Sequence, residues 1–181
     1  TLAAIETDTH DTKTFRFNLP ADATLDMLPG DFLYVHTTID GKTIKRAYTP
    51  SSLTGSIGFF DLTVKRYESG LVSKYLHQQR VGDSVLMSGP NPGGHWVDGM
   101  AKRVGFVAGG TGITPMISII RWILTKHIAV EMFVIFAKFR AAHYLPLHGS
   151  HLPLRRERRA QSAECGCPAM QTNHVRCLPM K

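Results

Sequence analysis

The chain has 181 residues, 43% of them hydrophobic and 19% charged, the composition of a soluble globular protein with room for one ordinary domain or two small ones. The formal charge of +7 is confined to one end: residues 1–137 carry 13 Lys and Arg against 12 Asp and Glu, and residues 138–181 carry 8 against 2. The nearly neutral body excludes a general nucleic-acid-binding surface. The longest uncharged run, 104–120, holds three glycines in four positions and a proline, which excludes a membrane span.

There is no signal-peptide pattern and no initiator methionine, so the chain reads as a fragment or a module of a longer protein. All three cysteines (Cys165, Cys167, Cys177) lie in the basic tail. They make no disulfide framework, and their absence elsewhere fits a reducing, cytoplasmic setting.

In chain order, residues 1–19 alternate as two short strands around a His10-Asp11 turn. Pro29-Gly30-Asp31 is a turn. Phe32 begins a strand that runs to Asp40-Gly41, a two-residue hairpin signal, and the return strand is Lys42 to Thr49. Phe59 to Arg66 is another strand, rich in aromatic and β-branched residues. Leu71, Val72, Tyr75, Leu76 and Gln79 have helical spacing, with Ser69 as the expected N-cap. Val81 to Met87 reads as a sixth strand, and Gly89-Pro90-Asn91-Pro92-Gly93-Gly94 as irregular. Six short strands at this spacing predict a small all-β antiparallel barrel over residues 1–98.

Composition shifts near Gly99. Val104 to Ala108 is a compact apolar strand, followed by Gly109-Gly110-Thr111-Gly112 and a helix with Pro115 at its expected first position. Val130 to Ala137 is a second compact strand. This β-α-β unit, residues 99–137, predicts a partial parallel α/β sheet. No later window keeps helical or strand periodicity, so 138–181 is expected to be a disordered tail that does not complete the sheet.

Chemistry concentrates in a few places. In an extended chain Arg46 and Tyr48 share a face and Thr49 takes the other. A guanidinium matches phosphate oxygens, a tyrosine ring lies against a flat heterocycle, and a threonine hydroxyl meets a ring nitrogen. Gly70-Leu71-Val72-Ser73 opens a helix, where backbone N–H groups and the dipole favour phosphate. Gly109-Gly110-Thr111-Gly112 is a second phosphate-type turn, with Pro115 where the third glycine of a dinucleotide fingerprint would stand. In the tail, Cys165, Cys167, His174 and Cys177 lack a standard zinc spacing, so no metal is expected. The Arg155 to Arg159 run has no interleaved aromatics and is not expected to bind nucleic acid.

Arg46-Ala47-Tyr48-Thr49-Pro50, Asp61-Leu62-Thr63-Val64-Lys65, Gly70 to Leu76, Gly82-Asp83, Ser88-Gly89-Pro90 and Ala108 to Met116 occur in one order. Over residues 2–137 that set resembles the ferredoxin–NADP reductase superfamily, and within it the cytochrome b5 reductases and the flavin part of nitrate reductases. The resemblance implies an FAD-binding barrel followed by a domain for NADH or NADPH. It implies that Arg46 holds the FAD pyrophosphate, Tyr48 packs on the isoalloxazine and Thr49 sits by flavin N5. It further implies that Val64 and Lys65 offer backbone groups to the flavin, and that Gly70, Leu71, Val72 and Ser73 cradle the pyrophosphate. Gly109, Gly110, Thr111, Gly112, Thr114 and Pro115 would meet the nicotinamide dinucleotide. The implied function is a flavin-dependent oxidoreductase passing electrons from NAD(P)H to a one-electron carrier, a haem or iron–sulfur protein or domain. The flavin carries such chemistry, so no acid, base or nucleophile is required, and no triad pattern is present.

The resemblance ends at Ala137. The family continues through further strands and a late Cys-Gly-Pro turn, which Glu164-Cys165-Gly166-Cys167-Pro168 matches poorly. The change to Arg, His, Pro and Cys is similar to a frame shift or a fused segment. The alternative reading is therefore a flavin-binding module, or a decayed fragment, without independent reductase activity.

Overall fold

The computed structural model describes residues 1–138 and 171–176. Six antiparallel strands come first: β1 (Leu2–Thr7), β2 (Thr12–Asn18), β3 (Phe32–Ile39), β4 (Lys42–Tyr48), β5 (Phe59–Lys65) and β6 (Met87–Asn91). They form two three-stranded sheets, ordered β1-β2-β5 and β4-β3-β6. In β2 the period-2 pattern turns Phe15 and Phe17 inward, and Arg16 outward onto its cross-strand partner Asp61 in a bidentate pair at 2.8 Å. The β3–β4 turn has positive φ at both Asp40 and Gly41, the primed geometry that matches strand twist.

Two segments join the sheets into the barrel. The Gly82 N–H donates to the Leu2 carbonyl and the Leu2 N–H to the Asp83 carbonyl, both at 2.8 Å, and the His36 N–H reaches the Leu86 carbonyl at 2.9 Å. On the other side, the Ser51 N–H donates to the Asp61 carbonyl at 2.8 Å. Helix α1 (Leu71–Gln78) inserts Val72 and Leu76 into the shared core beside Phe15, Val35 and Leu62. Each such side chain contributes roughly 1.5–3 kcal/mol by leaving water.

Two expectations fail here. The sixth strand is Met87–Asn91, not Val81 to Met87, and it includes Gly89-Pro90-Asn91. The Val81 and Leu86 side chains that suggested a strand are 62% and 69% exposed. The proline is tolerated because β6 is an edge strand whose register on β3 shifts between Phe32 and Tyr34, so one ladder donor is dispensable. Ser69 is also not the cap of α1; Gly70 is, with extended backbone and no side-chain cap.

The second part is β7 (Arg103–Gly109), a 3₁₀ turn at Gly110–Gly112, α2 (Ile113–Thr125) and β8 (Glu131–Lys138). β7 and β8 are parallel, and α2 packs Ile117 onto Ala108 and Ile123 beside Phe106 and Met132. Pro115 is the third helical residue, not the first; the N–H groups of the opening turn have no helical acceptor, so proline costs nothing there.

The expectation of a wholly disordered tail is corrected in one segment. β9 (Gln171–Arg176) pairs antiparallel with β8, from Lys138↔Gln171 to Phe133↔Arg176. It adds no parallel strand. An edge strand needs only backbone complementarity to the exposed ladder of β8, not the continuous apolar run of a strand buried on both faces. The rest of 139–181, including the three cysteines and the arginine run, lies outside the described residues. No helix among the described residues is long and apolar enough to cross a membrane.

Candidate functional site

A cleft of about 300 Å³ opens between the end of β4, the end of β5, the start of α1 and the turn before α2. Arg46, Ala47 and Tyr48 line it together, while Thr49, just past the end of β4, is buried and outside the lining. Arg46 is exposed; one Nη1–H donates to the Lys45 carbonyl at 2.9 Å, and no carboxylate among the described residues forms a salt bridge with it. Its remaining donors are available to an anion. Burial pushes the Tyr48 phenol up to about 12, against the opposing pull of Arg46, so Tyr48 stays neutral and protonated at physiological pH.

The β5 wall comprises Thr63, Val64 and Lys65. The Val64 side chain belongs to the core, 1% exposed, and its backbone faces β2 opposite Lys13, with its carbonyl also accepting from the His77 ring at 2.9 Å, so the expected Val64 contact with the flavin is not available. β5 pairs with β2 on one edge only. On the other edge, the Asp61 carbonyl accepts from the Ser51 N–H, and the Asp61 N–H donates to Ser52 Oγ. Two and four residues further on, the backbone groups of Thr63 and Lys65 point the same way, toward the cleft. The Lys65 ammonium is turned away onto Asp11 at 2.9 Å. Burial would raise the Asp11 carboxyl, but hydrogen bonds from Lys65, Thr9 and Thr12 overcome that and hold it well below the usual carboxylate range.

With Gly70 as N-cap, the Leu71, Val72 and Ser73 N–H groups begin α1 without helical acceptors, and no acidic residue occupies the first turn. Ser73 lines the cleft, yet its hydroxyl is committed: Oγ donates to the Gly70 carbonyl at 3.0 Å and accepts the Tyr67 N–H at 3.3 Å. A Cβ on Gly70 would stand 2.3 Å from Ser73 Oγ, so only glycine leaves this cradle open.

From the glycine turn, Thr111 and Thr114 reach the cleft, whereas Gly109, Gly110, Gly112 and Pro115 are not part of its lining. Thr114 Oγ1 donates to the Thr111 carbonyl at 3.1 Å. Sequence reasoning missed Tyr67, whose phenol oxygen lies 3.1 Å from Thr111 Oγ1 and links the barrel to the glycine turn. It also missed Thr63, bonded to Thr14 Oγ1 at 2.9 Å and to Ser51 Oγ at 2.8 Å. The available signal for Tyr67 was an aromatic in the short turn just before a phosphate-type helix start.

The site offers a free guanidinium, an open helix N-terminus, an unpaired strand edge and two tyrosines, which fit a large anionic cofactor with an aromatic ring system. With this antiparallel barrel leading into a parallel unit, they define a flavin-dependent oxidoreductase architecture. The sequence model of the oxidoreductase FAD-binding domain matches residues 1–96, and the chain belongs to that family.

Among curated proteins it is similar to NADH-cytochrome b5 reductase 1 of Eremothecium gossypii, 44% identical over 120 residues, covering 65% of this chain and 42% of that protein. It is also similar to NADH-cytochrome b5 reductase 1 of Mycosarcoma maydis, 42% identical over 111 residues, covering 61% and 34%. The chain thus spans between about a third and two fifths of the length of these relatives. Among solved structures, the cytochrome b5 reductase domain of Ulva prolifera nitrate reductase superposes with a TM-score of 0.73 at 29% identity, covering 81% of this chain and 63% of that one. Phthalate dioxygenase reductase superposes with a TM-score of 0.63 at 26% identity, covering 76% and 42%.

Proposed function

We propose that this chain is the flavin-binding part, with the opening unit of the nucleotide domain, of a cytoplasmic reductase that passes electrons from NADH or NADPH through FAD to a one-electron carrier of the haem or iron–sulfur type. The observation that supports this most is the single cleft in which Arg46, Tyr48, the start of α1 and Thr111 meet. When bound, the flavin takes up two electrons as hydride and releases them singly.

The protein's own task is to bind, orient and shield. In this reading Arg46 holds the pyrophosphate in a fork, and the N–H groups of Leu71, Val72 and Ser73 take further phosphate oxygens. Ser73 acts through its backbone while its hydroxyl shapes the turn. Gly70 keeps the approach open. The neutral Tyr48 ring packs on the isoalloxazine, with the cleft-facing backbone groups of β5 at Thr63 and Lys65 serving its polar edge. Thr49, which the resemblance puts beside flavin N5, is buried outside this cleft, so no contact with the flavin is assigned to it. Residues 109–115 face the nicotinamide dinucleotide, through Thr111 and Thr114 first.

A second reading is a flavin-binding module without reductase turnover of its own. The antiparallel β9 favours it, because it occupies the edge of β8 where a further parallel strand would extend the nucleotide sheet. The visible spectrum of the purified chain, recorded after FAD is supplied, tests the first part. Absence of bound flavin refutes both readings. Anaerobic addition of NADH then separates them: bleaching supports the reductase, and an unchanged spectrum supports the module.

A further inference from the structure

Arg121 belongs to α2 but ends on the barrel. Its Nη1–H donates to the Ser51 carbonyl, and it forms no ion pair with any described residue. Burial pushes its pKa below the ordinary arginine value, with the Asp61 charge opposing. A guanidinium withdrawn from water is retained where it meets an acceptor that needs it.

Ser51 is the node that Arg121 completes. Its N–H and its hydroxyl are both tied to β5, through the Asp61 carbonyl at 2.8 Å and Thr63 Oγ1 at 2.8 Å. Arg121 takes the remaining polar group. Ser51 follows Tyr48-Thr49-Pro50, and proline allows little backbone adjustment between them. Fixing Ser51 therefore fixes the turn that sets how Tyr48 meets the cleft.

Among the described residues the other polar links from α2 into residues 1–98 are Ser118, to the Gly30 N–H at 3.3 Å and Thr54 Oγ1 at 3.4 Å, and the Trp122 indole N–H, which donates to Asp98 Oδ1 at 2.9 Å. They end on loops outside the cleft lining. The crevice between Ser118 and the 50–56 loop is only about 10 Å³, too small for a ligand.

We propose that Arg121 is a positioning residue of the flavin site, carried on the nucleotide unit, which sets the Tyr48–Ser51 turn through the Ser51 carbonyl. Flavin affinity of the barrel then depends on α2. This rests on the flavin-site reading above.

The test uses the full chain and FAD itself, titrated into apoprotein by fluorescence quenching, with the bound-flavin spectrum and a denaturation curve recorded for each variant. Arg121→Met is expected to weaken FAD binding by about tenfold, the usual effect of losing a charged hydrogen bond, and to shift the bound spectrum. Arg121→Lys recovers part of the affinity because it keeps a cationic donor. Ser118→Ala, which loosens the same helix without touching the turn, leaves affinity and spectrum unchanged. A folded Arg121→Met with wild-type affinity and spectrum overturns the proposal, as does an equal loss in Ser118→Ala. If Arg121→Met does not fold, Arg121→Lys decides, and wild-type affinity there overturns the proposal. A wild-type chain that takes up no FAD at all instead defeats the flavin reading itself.

Discussion

Replacing Gly70 with alanine places a Cβ 2.3 Å from Ser73 Oγ, 3.0 Å from Tyr67 Cβ and 3.3 Å from the Tyr67 carbonyl. The backbone itself accepts alanine, with φ −84 and ψ 99, so the cost is steric alone. Ser73 is buried and short, and it moves only by breaking its bonds to the Gly70 carbonyl and the Tyr67 N–H. Two such bonds contribute about 0.5–1.5 kcal/mol each. Loss of a flexible glycine from the unfolded chain returns about 0.4–1 kcal/mol. The net expectation is a loss of about 1–2 kcal/mol in stability, read from urea denaturation of apoprotein. Ser73→Ala alone breaks the same two bonds. The double variant loses them once, so it is less destabilised than the two single changes added together, by about 1–3 kcal/mol. Strict additivity, or a Gly70→Ala protein as stable as wild type, would refute the account of this cradle.

Arg46→Ala removes a fork donor to phosphate and is expected to cost about 1.5–3 kcal/mol of FAD binding, a tenfold to hundredfold loss visible in the flavin content of purified protein. For Asp11 the folded pKa lies below the ordinary 3.8, so its stabilisation is present above that pH and fades as pH falls toward the folded value. Asp11→Asn should accordingly destabilise the barrel at pH 7, and the difference from wild type should shrink steadily below about pH 4 in matched thermal unfolding curves. Removing residues 171–181 uncovers the outer edge of β8 and should speed amide exchange in Phe133–Lys138, leaving the barrel amides unchanged; equal exchange in both proteins would show that β9 contributes nothing.

Local chemistry was enough to place most of this molecule. Alternation in β2, β3 and β5, the Asp40-Gly41 turn and the apolar runs around Gly109–Gly112 depend on neighbours in the chain, so strands, hairpin and β-α-β unit were legible. Arg46, Tyr48 and the start of α1 were legible for the same reason, as residue types whose chemistry announces itself. The sixth strand was not, because an edge strand with a bulge accepts glycine and proline that a local rule forbids. β9 was hidden because pairing at an edge is a property of the backbone of β8 and leaves no apolar signature in its partner. Tyr67–Thr111 and Arg121–Ser51 join residues 44 and 70 positions apart, so only the folded chain brings them together. The commitment of Ser73 to its own turn was likewise decided by packing: the sequence supplied a hydroxyl at a helix start, and the tertiary structure determined which groups it could reach.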